Sequence, residues 1–253
     1  MLISRMAVIA AALSIPAISH AQEITPSFTG IISQGDFGSQ RDTVMGSALL
    51  GVQAEWGDTS VKVTLPYIAT RSPGIVFSGF DGTPLVMVPD LGGPKRVWDG
   101  FGDPTVSVSH VVRTGGFEIR GTGRAKIAVQ DINEVSTGES DFAVSAEVSK
   151  VVGGVVPFAS VGYRWFGDPE GWDIRDGFAA SAGVAAPIGE GSAAVSYQFA
   201  ERTSDFVGDA HEIVAAYDAP LPDSPFRLAA IGTLGLSSGA PDFSAGLRVS
   251  MKF

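Results

Sequence analysis

Beyond residue 21 the only imidazoles are His110 and His211. Nucleophilic catalysis would need one of them beside a positioned Ser, with a third group orienting the ring. No Ser stands at a spacing that pairs it with either. Both histidines instead share the parity of apolar neighbours, His110 with Val106, Val108 and Val112, and His211 with Ile213, Ala215 and Tyr217. Cysteine is absent, which excludes disulfides and thiolate chemistry. The acidic run Asp168, Glu170, Asp173, Asp176 lacks the Asp-x-Asp-x-Asp-Gly spacing of a calcium loop and reads as a solvated segment. No Gly-Lys-Ser/Thr follows any Gly-rich turn, so no phosphate loop is present. We expect no catalytic residue, no metal site and no cofactor.

A formal charge of −10 argues against nucleic acid as a partner. What chemistry remains lies in charged side chains at alternate positions, and alternation belongs to strands. It is clearest at 243–253, where Phe243, Ala245, Leu247, Val249, Met251 and Phe253 interleave with Ser244, Gly246, Arg248, Ser250 and Lys252. Successive side chains of a strand point to opposite faces, so this segment has one apolar and one polar wall.

The same period, bounded by Gly, Asp, Asn or Pro, recurs in about twelve segments of roughly 9 to 13 residues, the length of a tilted membrane strand. They fall at 24–33, 44–56, 60–69, 104–114, 117–129, 140–151, 155–166, 177–188, 192–201, 210–218, 226–235 and 243–253. Connections alternate short and long, the longest being 70–101. Arg5, the apolar run 6–18 and Ser19-His20-Ala21 read as a secretory signal peptide over 1–21, leaving 22–253 as the folded chain. No later run is apolar for the roughly 18 residues of a membrane helix, so any insertion must be as strands. The expected fold is all-β: an up-and-down antiparallel transmembrane barrel of about twelve strands, in the outer membrane of a Gram-negative cell. A secreted β-sandwich shares the strand spacing, but it explains neither the short-long alternation nor the aromatic final strand. Tyr163 and Trp165, apolar-facing near a loop end, suit an interfacial girdle.

If apolar parity meets lipid, the other parity lines a lumen. Basic Lys62, Arg120, Arg124, Lys126, Arg164, Arg227, Arg248 and Lys252 then face inward with acidic Glu55, Glu118, Glu147 and Glu212. Such a surface favours anions, and Arg120, Arg124 and Arg164 are candidates for a basic ladder beside Lys126, Glu118, Glu147 and Arg248. The competing reading is that these charges pair across the barrel and plug it. Within 70–101 lie two apolar patches, Ile75-Val76-Phe77 with Phe80, and Leu85-Val86-Met87-Val88. They either fold into the mouth, with Phe77 and Phe80 touching an apolar ligand, or extend strands along the membrane; the second is preferred. The expected role is passive passage of small solutes, with a closed structural or adhesive barrel as the alternative. Expected partners are outer-membrane lipid, the solute, and the barrel-assembly machinery reading the aromatic final strand.

Three stretches, Gly100-Phe101-Gly102-Asp103-Pro104-Thr105-Val106-Ser107-Val108, the segment 138–148 and the final 243–253, resemble the outer-membrane barrel transporter family named for the meta pathway of phenol degradation. The resemblance implies a barrel passing small, aromatic molecules. It supplies no set of functional residues to carry over.

Overall fold

A strand immersed in lipid cannot leave backbone N–H and C=O groups unpaired, so alternating segments of this kind must bond edge to edge until the sheet closes. In a computed structural model of the chain they do. The structure describes residues 23–37, 41–88, 92–133 and 135–253. The expected signal peptide lies outside them.

The wall begins with β1 (Glu23–Gly35), β2 (Thr43–Trp56) and β3 (Thr59–Ser72). Then come two short strands that leave the wall, β4 (Ile75–Ser78) and β5 (Pro84–Val88), followed by β6 (Arg96–Phe101) and β7 (Thr105–Thr114). Next are β8 (Phe117–Lys126), β9 (Asp141–Lys150), β10 (Val156–Trp165) and β11 (Gly177–Ile188). The last four are β12 (Gly191–Ala200), β13 (Ala210–Pro220), β14 (Phe226–Gly235) and β15 (Phe243–Met251). Each wall strand pairs antiparallel with its neighbour in sequence, and β15 pairs with β1 to close a twelve-stranded barrel. Reciprocal backbone bonds between Ile24 and Phe253, at 3.3 and 3.0 Å, extend that seam to its end.

The β6 and β7 strands share one wall position. β7 pairs with the lower half of β3 (Thr59 to Thr64), and β6 pairs with its upper half (Tyr67 to Ser72). Gly102-Asp103-Pro104 separates them, since Pro cannot donate to the ladder. Sequence periodicity ends the third strand at 69 and treats 70–101 as loop. The structure corrects this: β3 runs on to Ser72 and three further strands occupy the segment.

The register places one parity outward throughout. Phe28, Leu50, Val108, Val144, Val161, Val184, Val195, Leu234 and Leu247 are exposed on the outer surface, and all but Leu50, which follows inward Leu49, are flanked along their strands by inward polar or small residues. Tyr163, Trp165 and Phe178 cluster edge to face on this surface with centroids 4.9 and 4.8 Å apart, as interfacial aromatics do. His110 and His211 share the outer parity. His110 Nδ1 lies 2.9 Å from Thr59 Oγ1, while His211 stacks near Tyr197 and Phe199.

The outer face yields a stability prediction. Leu247, 57% exposed midway along β15, lies on the outer surface that a membrane would cover, whereas Ser250 of the same strand faces the lumen. Leu247→Arg should cost about 2–4 kcal/mol and Ser250→Arg far less, measured as the shift in urea-dependent folding into liposomes. Equal effects would show that the outer face is misassigned.

Candidate functional site

The upper lumen is occupied by the chain itself. β4 and β5 form a hairpin whose tip, 79–83, enters the barrel instead of lying along its rim. Asp81-Gly82 turns it, with both residues left-handed (φ 51° and 70°), the pairing that Asp-Gly supplies in two-residue turns. Any Cβ at Gly82 would stand 3.2 Å from both Leu49 and Pro66 on the inner wall and would strain the left-handed backbone, so Gly suits this seat best. Polar bonds hold the tip. Ser47 Oγ donates to the Gly82 carbonyl at 3.1 Å, the Asp81 N–H donates to Thr105 Oγ1 at 3.2 Å, and Asp81 pairs with Arg124 at 3.3 Å.

The preferred expectation for the apolar patches, an extension of strands along the membrane, is therefore overturned. Phe77, Phe80 and Leu85 are buried inside with Phe166 and Ile174, and Ile75 and Trp172 pack against them. Phe77 meets Trp172 edge to face at 5.9 Å. A second cluster joins Val76 to Phe37, Met45, Ile68, Val135 and Val207, which come from separate loops and strands. The mouth gives these side chains partners on all sides, and a membrane-hugging strand would leave half of them uncovered. The acidic run closes part of this core: Asp168 accepts the Ile174 N–H at 2.9 Å and Asp176 the Phe166 N–H at 2.8 Å.

Charges of the expected lining all carry the inward parity, yet most are engaged. Arg120 bonds Glu118 at 3.2 Å and stands opposite Glu147 in the β8–β9 register. Arg124 is taken by Asp81. Arg248 reaches Asp218 at 3.3 Å, and the same carboxylate accepts Arg227 Nε at 2.8 Å. Lys252 pairs with Glu23. Arg164 differs. Its Nη2 donates to the Glu201 carbonyl at 2.9 Å and its guanidinium lies 5.4 Å from the Phe166 ring, but its buried Nε has no partner. Arg120, Arg124 and Arg164 thus have separate partners and do not contact one another.

Lys126 and Asp141 form an ion pair at 2.8 Å, both 0% exposed. Lys126 also donates to Thr137 Oγ1 at 3.0 Å, and Asp141 accepts the Gly167 N–H at 3.1 Å. Beside them Asp103 accepts from Ser136 Oγ and, at 3.0 Å, from the Val129 N–H. Loop 127–140 is thereby fastened over the barrel. It reaches the hairpin too, since both the N–H and Oγ of Ser78 donate to the Val135 carbonyl, at 3.1 and 2.8 Å. Lys126 is buried and neutralised rather than presented to a passage.

Sequence reasoning missed Asp81, Asp103, Asp141 and Asp218, which neutralise or anchor much of this lining. Asp218 was readable, because it shares the parity of Glu212 on the same strand. Asp81 had a signal as well, an Asp-Gly between two apolar runs.

Beside the hairpin a cavity of about 350 Å³ remains, bounded by the tip, by β1 and β2, by β10 and by β12 to β15. Phe80, Phe166, Ile31 and Ile231 contribute apolar surface, while Arg164, Gln198 and Glu212 contribute polar groups. Apolar walls with a few convergent polar groups are the usual make-up of a small-molecule site.

No protein-family model matches the chain, and no curated protein matches its sequence. Solved structures do. The COG4313 outer membrane channel from Pseudomonas putida F1 superposes with a TM-score of 0.69 at 12% identity, over 91% of this chain and 95% of that one. The KdgM porin, solved in complex with disordered oligogalacturonate, superposes with a TM-score of 0.53 at 6% identity, over 90% and 98%. At such identities the likeness establishes the fold, a closed antiparallel barrel of the outer-membrane type.

The fastening of loop 127–140 can be tested through its ion pair. Lys126→Met leaves Asp141 buried and unpaired and should destabilise by about 3–5 kcal/mol, whereas Lys126→Met with Asp141→Leu should recover most of the loss. Proteinase K cleavage within 127–140 should rise in the single variant and fall back in the double. Unchanged cleavage in the single variant would exclude the pair as the fastening.

Proposed function

We propose that this chain is an outer-membrane channel through which small solutes pass beside the inward hairpin. The observation that carries this reading is the cavity left between the hairpin and one side of a closed barrel. A barrel serving only as a scaffold has no need to keep polar and charged groups around a space of solute size. The signal-like segment 1–21 supports export and residence in the outer membrane of a Gram-negative cell, and the two-faced β15 supports recognition by the barrel-assembly machinery.

The hairpin is the constriction. Phe77 stays packed in the mouth, whereas Phe80 sits at the cavity edge with Phe166, which suits aromatic or other apolar parts of a solute. The resemblance of 100–108, 138–148 and 243–253 to the meta-pathway barrel family supports aromatic solutes too. Selectivity among simple ions is weak in this reading. Arg124 and Lys126 are each offset by a carboxylate and Arg227 and Arg248 share that of Asp218, so the basic surplus available to draw anions resides in the Asp218 cluster, Arg164 and Lys62, with Arg120 shared between Glu118 and the facing Glu147.

The test uses the purified protein in planar bilayers and in liposomes. Small discrete conductances are expected, with a mild anion preference in a potassium chloride gradient and swelling by small solutes. Removing 74–88 should raise the conductance severalfold, because lumen cross-section then limits flow, and should change uptake of hydrophobic solutes. A barrel without conductance before and after the deletion would overturn the proposal in favour of a closed structural or adhesive role.

A further inference from the structure

Two charges of opposite sign on the cavity wall, Arg164 and Glu212, form no direct ion pair. Arg164 comes from β10 and Glu212 from β13, and both side chains project inward by register. Among the described residues neither forms an ion pair, and Glu212 has no hydrogen-bonding partner. Of the other charges lining the cavity, Asp81 pairs with Arg124 at 3.3 Å and Arg202 with Asp205 at 4.0 Å, while Glu201 accepts the Phe178 N–H at 2.7 Å and stands close enough to Arg164 to act on its charge. Arg164 is further oriented by the Glu201 carbonyl and by Phe166, leaving its Nε free.

A low-dielectric cavity penalises an isolated charge, and proteins ordinarily relieve that by contact, as Lys126 and Asp141 do at 2.8 Å. Opposite charges that face one space without meeting are complementary to a molecule carrying both signs. The rest of the lining adds a second requirement. Phe80, Phe166, Ile31 and Ile231 offer apolar surface beside the charges, and Gln198, Thr233 and Ser244 add uncharged polar groups.

We propose that the cavity is a binding site for a small zwitterion with an apolar body, its carboxylate held by Arg164 and its ammonium by Glu212. The guanidinium offers a planar fork suited to a carboxylate, and the free carboxylate of Glu212 can accept from an ammonium. The apolar body rests against Phe80 and Phe166. A singly charged analogue would leave one of the two wall charges desolvated and unpaired, so specificity comes from penalty as well as attraction. This site rests on the passage reading above, since the cavity is the stretch of lumen that a solute must cross.

The experiment uses four probes that share a phenylethyl body: phenylalanine, 3-phenylpropionate, phenethylamine and phenethyl alcohol. Their binding to the purified full-length protein in detergent micelles is measured by isothermal titration, alongside Arg164→Gln and Glu212→Gln. Phenylalanine should bind roughly tenfold or more tightly than either singly charged probe, as paired desolvated charges allow. Arg164→Gln should abolish its advantage over phenethylamine, and Glu212→Gln its advantage over 3-phenylpropionate. Heat-modified mobility on gels shows whether each variant has folded. Should Arg164→Gln fail to fold, Arg164→Lys keeps the charge but loses the fork and should weaken phenylalanine and 3-phenylpropionate alike. Equal binding of the four probes, or a zwitterion preference untouched by Glu212→Gln, would overturn the site. Bilayer conductance separates this from the passage reading: a conducting barrel without zwitterion preference removes the site alone, and a non-conducting barrel that binds phenylalanine removes the passage alone.

Discussion

Closure of the backbone ladder is the constraint on which the rest of this molecule depends. In hydrocarbon an unpaired N–H or C=O costs several kcal/mol, so a strand that enters must find neighbours on both edges. Here β15 meets β1, and the bonds between Ile24 and Phe253 carry the seam to its end. Once the ring is closed, strand parity ceases to be a local property. Every side chain of a wall strand faces either outward or into the lumen, and a one-residue slip in any strand would exchange the two. Outward Leu247 and inward Arg248 are neighbours in sequence but have different solvents.

Closure also creates the interior that the hairpin fills. The lower lumen is lined by charges that settle against one another, such as Arg227 and Arg248 around Asp218. Higher up, the wall alone would present Met45, Leu49, Pro66 and Ile68 to water. The β4–β5 hairpin covers them with apolar side chains of its own, so the barrel acquires a small core inside its mouth. Gly102 marks how close this packing is. A Cβ there would approach Ile68, Pro66 and Ser78 at 3.0 to 3.1 Å, which places the break between β6 and β7 where wall and hairpin press together.

How much of this could be read in the sequence follows from the range of each interaction. Alternation is local, so the wall strands, their facing and the outward histidines were legible; β11 and β14 even share their bounds with the sequence reading. Inward Arg120, Arg124, Arg164, Glu118, Glu147 and Arg248 followed from parity as well. Where the hairpin goes is not local. The patches around Phe77 and Leu85 are equally apolar whether they meet lipid or a barrel mouth, and what decides between those sites is Pro66, Phe166 and Val135, distant in sequence. The ion pairs are non-local too: Asp81 finds Arg124 only after the hairpin has entered, and Lys126 finds Asp141 across a loop.

That difference bears on what the lumen can do. Parity alone counts charges and leaves a surplus of basic ones, which points to a field acting on anions in general. Pairing changes the unit of the argument from the count to the remainder. A cation held at 3.3 Å by a carboxylate contributes little field a few ångströms away, because the two charges act as a dipole whose influence falls off faster than that of either alone. Arg124 and Arg248 are therefore parts of the wall, whatever their parity. Arg164 and Glu212 keep more of their fields because neither forms a direct ion pair among the described residues, and both line the cavity beside the hairpin. Under the proposed zwitterion site the interior would discriminate by the arrangement of two charges on one cavity, and total charge would matter less than the chain's composition suggests.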